Sequence, residues 1–103
     1  MDTSVKEKTL ARNKKKIVEP SFYDVIYIND DITTIQFVVE TLIDIFGYEF
    51  NQAELKASEI HENGRSVIGT YTYEIAEQKG VEVIQRARKD GFPLQVRIEP
   101  VTA

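Results

Sequence analysis

Few side chains here could do chemistry, and the ones that could fall in two places. Asn29-Asp30-Asp31 sets an amide beside two carboxylates, and His61 is the only imidazole in 103 residues. An amide oxygen, ionised carboxylates and an unprotonated ring nitrogen all accept hydrogen bonds, so together they suit a cationic, donor-rich group. The same residues could supply a general base and the acid that orients it, as a small hydrolase needs. No nucleophile or oxyanion site accompanies them, because the chain lacks G-x-S-x-G, H-E-x-x-H and a phosphate-cradling glycine loop. One histidine with two aspartates is too small a ligand set for a metal. Zero cysteines remove thiolate nucleophiles, thiolate ligands and disulfides. Binding therefore ranks above catalysis, with no cofactor and no metal expected. Taken alone, Asn-Asp-Asp is also ordinary turn chemistry, favourable before a helix N-terminus.

The elements around these residues follow from periodicity. Phe22 to Ile28 is aromatic and β-branched and reads as a strand. Thr33-x-x-Gln36 has the form of a capping box, opening a helix from about Thr34 to Phe46 that Gly47 ends. That helix is apolar nearly all round, so something beyond the main core is expected to cover the surplus. Asn51-x-x-Glu54 opens a second helix, to about Glu62, on which Ala53, Ala57, Ile60 and His61 share a face; Asn63-Gly64 stops it. Arg65 to Thr72 is a second strand, and Thr72 caps a third helix from Tyr73 to about Asp90, stopped by Gly91. Gly80 within it predicts a soft point of about 1 kcal/mol relative to alanine. Leu94, Val96 and Ile98 alternate with Gln95, Arg97 and Glu99, the period of a strand with one wet face. The order β-α-α-β-α-β implies an α+β domain, a small sheet covered on one face by helices.

Composition narrows the partners. Residues 1–20 hold six basic and three acidic side chains, and the remainder holds seven and fourteen, so a basic segment of net +3 precedes a body of net −7. The expected organisation is a flexible basic extension over 1–20 and one domain over 21–103. An acidic body repels phosphate backbones, which argues against nucleic acid despite Lys14-Lys15-Lys16. No apolar run approaches the ~18 residues of a membrane span, and residues 1–16 lack a secretory pattern, so a cytoplasmic monomer is the expectation.

The motifs in order, "NDDITTIQFVVETLIDIF", "SEIHENGRSVIGTYTYEIAEQK" and "GFPLQV", resemble the ClpS family of bacterial N-degron adaptors from about Tyr23 to Glu99. The resemblance implies a three-stranded antiparallel sheet with three helices, like the C-terminal domain of the ribosomal stalk protein. It implies recognition of proteins whose first residue is bulky and apolar, and their delivery to the N-domain of a Clp-type AAA+ unfoldase with its peptidase. By the same resemblance Asn29, Asp31 and His61 meet the free α-amino group, which with a pKa near ~8 is largely an ammonium at neutral pH. Asp30 is left to the turn. The side-chain pocket maps onto Ile32, Thr33, Ile35, Val38, Ala57, Ile60 and Leu94, and unfoldase docking onto Glu74 and Lys79.

Ile35 and Ala57 stand where the family often has methionines, and Thr34 replaces a usual proline. A roomier pocket that admits branched residues or Trp is expected from Ala57, unless that residue simply packs under a neighbouring helix. Histidine as a residue type loses its acceptor in mildly acidic buffer, so binding is expected to weaken there. A ribosome-stalk-like interaction module would share the fold without needing an amine clamp, and a small hydrolase would use Asp31 or His61 in rate rather than in affinity.

Overall fold

The strand Tyr23–Ile28, β1, sits at the centre of the sheet in the computed structural model, which describes residues 21–101. The expected extension over 1–20 lies outside the described residues. The elements that follow are α1 (Ile35–Phe46), α2 (Phe50–Asn63), β2 (Arg65–Tyr71), α3 (Tyr73–Lys89) and β3 (Gln95–Pro100). The sheet order is β2-β1-β3 with both pairings antiparallel, so the fold is the expected α+β arrangement of three strands and three helices.

All three helices contact one face of the sheet. The buried hydroxyls of Tyr27 and Thr41 join β1 to α1 at 2.8 Å, Lys56 Nζ of α2 donates to Ser66 Oγ of β2 at 3.2 Å, and Gly80 of α3 faces Ile98 and Val96. Thr41 Oγ1 donates to Val38 O at 2.9 Å, which commits its one proton, so Tyr27 is the donor to Thr41. Burial raises the Tyr27 phenol well above its ordinary pKa, so it stays a neutral donor. On the opposite face Ile26 is only 2% exposed. Arg65 opposes Ile28 and Glu99 opposes Asp24, so their 3.1 Å ion pair crosses β1 at the level of Ile26 and roofs it.

The register between β1 and β2 shifts after Val25: Val25 opposes Gly69 and Ile26 opposes Val67, which leaves Ile68 as a bulged residue. Its side chain enters the core, and its carbonyl accepts from Tyr48 Oη at 2.6 Å. Leu42, Val83 and Leu94 fill the centre beside Ala53 and Ala57. Complete burial of each leucine contributes about 1.5–3 kcal/mol.

Two expectations about helix starts are corrected. Thr34, not Thr33, caps α1, accepting from Phe37 N at 3.1 Å. The Thr33–Gln36 box does not form, because Thr33 Oγ1 donates to Asp30 Oδ2 at 2.8 Å and Gln36 donates to Glu40 at 3.2 Å. For α2 the reach-back is Glu49 N to Gln52 Oε1 at 3.1 Å, so the helix starts before the expected Asn51-x-x-Glu54 signal. The surplus apolar surface of α1 is also covered within the chain: Phe37, Val38, Val39, Leu42 and Ile45 are all buried, whereas Ile35 stays 58% exposed.

Candidate functional site

The turn after β1 is shaped by Asp30. Its Oδ1 accepts from Ile32 N at 2.8 Å and Thr33 N at 2.7 Å, and its Oδ2 accepts from the Thr33 hydroxyl. Partial burial works to raise the pKa of this carboxyl, but the bonds from Thr33 N, Ile32 N and the Thr33 hydroxyl outweigh it, aided by the charge of Arg88. The net result is a carboxylate held below its ordinary range. Asp30 is thereby consumed in holding the turn, as expected of it. Its neighbour Asp31 is exposed and enters none of the hydrogen bonds or ion pairs among the described residues.

His61 approaches from α2. Gly64, at a φ of 87° that favours glycine, ends this helix and donates its N–H to Ile60 O at 2.9 Å. The Gly64 carbonyl accepts from Asn29 N at 2.9 Å, tying the end of β1 to the end of α2. This single bond brings the half-buried Asn29 to within three residues of His61 along α2. The imidazole is exposed and, like Asp31, takes no partner among the described residues. The tilt of α2 is steadied one turn earlier, where Ser66 Oγ donates to Glu59 Oε2 at 2.7 Å and Lys56 donates to Glu59 Oε1 at 3.3 Å.

The residues expected to form an apolar pocket divide into two sets. Val38, Ala57, Ile60 and Leu94 are 7%, 3%, 3% and 1% exposed and belong to the main core cluster. Ile32 and Ile35, at 64% and 58% exposed, project from the turn and the first turn of α1, and Thr33 is half-buried between them. An open cleft of about 550 Å³ adjoins Ile35 and is lined further by Asn51, Glu54, Leu55 and Ser58 of α2. A second, of about 500 Å³, shares Leu55 with the first and is lined further by Phe46, Tyr48 and Lys56. Ala57 lines neither cleft and packs within the core.

Arg88 was not singled out from the sequence, where it reads only as a basic residue near a helix C-terminus. One of its guanidinium nitrogens donates to both Phe92 O at 2.8 Å and Leu94 O at 2.9 Å, and the Phe92 ring meets Phe37 edge-on at 5.1 Å. These contacts pin the segment carrying Leu94 against α1. Of the two positions matched to unfoldase docking, Glu74 is exposed in the first turn of α3. Lys79 is half-buried, donates to Ile45 O at 2.8 Å at the end of α1, and lies 5.6 Å from the Phe46 ring and 5.4 Å from the Tyr71 ring. It therefore caps a helix C-terminus as well as carrying charge.

Among the described residues no group of three or more His, Cys, Asp or Glu is placed to hold a metal, and no helix is long and apolar enough to cross a membrane. What the arrangement offers is acceptors without partners among the described residues, beside exposed aliphatic side chains.

Comparison with known proteins bears on this arrangement. The family described as "ATP-dependent Clp protease adaptor protein ClpS" matches residues 18–97. An ATP-dependent Clp protease adapter protein ClpS from Campylobacter jejuni is 44% identical over 92 residues, covering 89% of this chain and 96% of the relative. The protein of that name from Desulforapulum autotrophicum is 40% identical over 98 residues, covering 95% and 94%. Among solved structures, Agrobacterium tumefaciens ClpS2 bound to L-phenylalaninamide superposes with a TM-score of 0.77 at 30% identity, covering 81% of this chain and all of that one. A match over most of the described domain, joined to close relatives of almost the same length and a shared fold, means that this chain belongs to the ClpS family of Clp protease adaptors.

Proposed function

We propose that this adaptor binds proteins whose first residue is bulky and apolar and hands them to a Clp-type AAA+ unfoldase and its peptidase, without catalysing a reaction itself. The observation that carries the reading is two acceptors, Asp31 and His61, without partners among the described residues, near strand and helix ends that the Asn29 N to Gly64 O bond ties together. A terminal ammonium presents three donors and needs three acceptors, and Asn29 Oδ1, Asp31 and the His61 ring would supply them. An acetylated or internal nitrogen offers fewer donors and no charge to the half-buried Asn29 and the exposed Asp31 and His61, so true chain ends are favoured. Ile32, Thr33 and Ile35 would flank the first side chain, with Val38, Ala57, Ile60 and Leu94 beneath it. The ligand of the Agrobacterium protein has both a free amine and an aromatic side chain, which supports a two-part site of this kind.

Charge-assisted bonds of about 1.5–3 kcal/mol each and apolar burial of about the size of one such bond, less the entropy of association, fall far short of picomolar affinity, and micromolar binding is the expectation. The unfoldase N-domain would meet the start of α3 at Glu74, with Lys79 contributing the charge that its bond to Ile45 leaves in place. Degradation of a folded reporter by a Clp unfoldase and peptidase tests delivery. A Phe-initiated reporter is expected to be degraded faster when this chain is added, and the same reporter initiated by Ala is not. Equal rates for the two reporters would contradict the reading.

A further inference from the structure

The cleft beside Ile35 shares only that residue with the groups assigned to the amine and the first side chain. It is bounded by Ile35 on α1 and by Asn51, Glu54, Leu55 and Ser58 on α2, and Leu55 is 73% exposed. Glu54 and His61 are separated by seven residues, within ~20° of two full helical turns, so they lie on nearly the same stripe of α2. Along the axis they are ~10 Å apart, which an extended peptide covers in about three residues. Ile35 borders this cleft and is also one of the residues assigned to the pocket for the first side chain. Glu54 takes part in none of the ion pairs among the described residues.

We infer that this cleft is a second subsite of the same binding groove, which receives positions 3 and 4 of a bound chain and selects basic or aliphatic side chains there against acidic ones. The inference rests on the amine-binding reading, since His61 fixes the end from which the positions are counted. Leaving His61, the chain passes Ser58 and Ile35 and reaches Glu54 and Leu55. Leu55 and Ile35 supply apolar contact, and Glu54 supplies the charge to which a lysine or arginine is complementary. An exposed pair of this kind is worth only a few tenths to one kcal/mol, so the selectivity adds to that of the first residue and does not replace it.

The test uses Phe-initiated peptides identical except at positions 3 and 4, which carry two lysines, two leucines or two glutamates, measured by fluorescence anisotropy at low ionic strength. The lysine peptide is expected to bind the parent roughly three- to fivefold more tightly than the glutamate peptide. Glu54→Lys should reverse that order, and Leu55→Ser should weaken the leucine peptide selectively. Glu82→Lys, an equal charge change at an exposed position of α3, is the control for the overall negative field. If Glu82→Lys shifts the preference as much as Glu54→Lys does, or if neither shifts it, the subsite is overturned while amine-dependent binding stands. If the parent binds none of these peptides, or binds their acetylated forms equally well, the amine-binding reading falls and the subsite with it.

Discussion

Asp30 and Asp31 are adjacent carboxylates in different circumstances, one spent on three hydrogen bonds within the turn and the other without a partner among the described residues. Substituting them should separate stability from binding. Asp31→Asn or His61→Ala is expected to lower affinity for a free amino terminus about 10- to 100-fold, equivalent to one charge-assisted bond, with little change in Tm. Asp30→Ala should instead lower stability by about 1–3 kcal/mol, because two backbone donors and a hydroxyl lose their acceptor. The pH dependence follows from the sign of the Asp30 shift. Its carboxyl is depressed in the folded state, so its contribution is complete above the unfolded value of ~3.9 and disappears as pH falls through the lower folded value. Denaturant titrations of the parent and Asp30→Asn should therefore differ at neutral pH and converge in strong acid; a gap that persists there contradicts this assignment. Ala57→Met tests the pocket. At 3% exposure the added volume should cost about 1–3 kcal/mol of stability and, if the first side chain rests on Ala57, should disfavour Val- and Ile-initiated peptides relative to Leu and Phe. An identical ranking in parent and variant would remove Ala57 from the pocket. That Asp30 serves the turn was legible from turn chemistry, and spacing put Ala57 on one face with Ala53 and Ile60, but which helix covers that face depends on packing that spacing does not show.

At the scale of elements, the sequence identified every helix and strand and the starts of β2 and α3, but misplaced the starts of α1 and α2. Thr33 and Thr34 are equal candidates as caps by residue type, and the choice is made by Asp30, which draws the Thr33 hydroxyl backwards and leaves Thr34 to cap α1. The start of α2 was misplaced because Asn51-x-x-Glu54 imitates the signal that Glu49 and Gln52 provide. Gly80 was read as a weakness, and its place in α3 adds a reason for tolerance of change. A methyl group there would meet Ile98 Cδ1 at 3.4 Å and Val96 Cγ1 at 3.7 Å, which are ordinary contacts. Gly80→Ala is expected to stabilise the chain by about 0.5–1 kcal/mol, visible as a higher midpoint in urea with an unchanged slope. A lower midpoint would mean that α3 cannot yield even slightly on β3. Arg88 and Lys79 escaped notice as structural residues because their partners are backbone carbonyls distant in sequence or in the following loop. Sequence patterns reveal a basic side chain near a helix end but not which carbonyl it meets.

For the molecule as a whole, the fold class was legible because the two periodicities alternate cleanly along the chain. The order β2-β1-β3 was not, since it depends on pairing between residues as distant as Tyr23 and Pro100. The bulge at Ile68 was equally hidden, because it is a property of the register between two strands. The site inherits both: the centre strand presents Asn29 at its end, and the bulged edge strand begins where Gly64 accepts from it. On the proposed reading, binding and specificity would be set by the junction of β1 with α2, and the acidic body would supply the field in which a cationic chain end is received. The most direct measurement compares one Phe-initiated peptide with its Nα-acetylated twin, titrated against the full chain by isothermal calorimetry or anisotropy at neutral pH. Micromolar binding of the free form and loss of at least about tenfold in affinity on acetylation are the results predicted from one charge-assisted bond; equal affinities for the two would contradict recognition of a chain end by Asn29, Asp31 and His61.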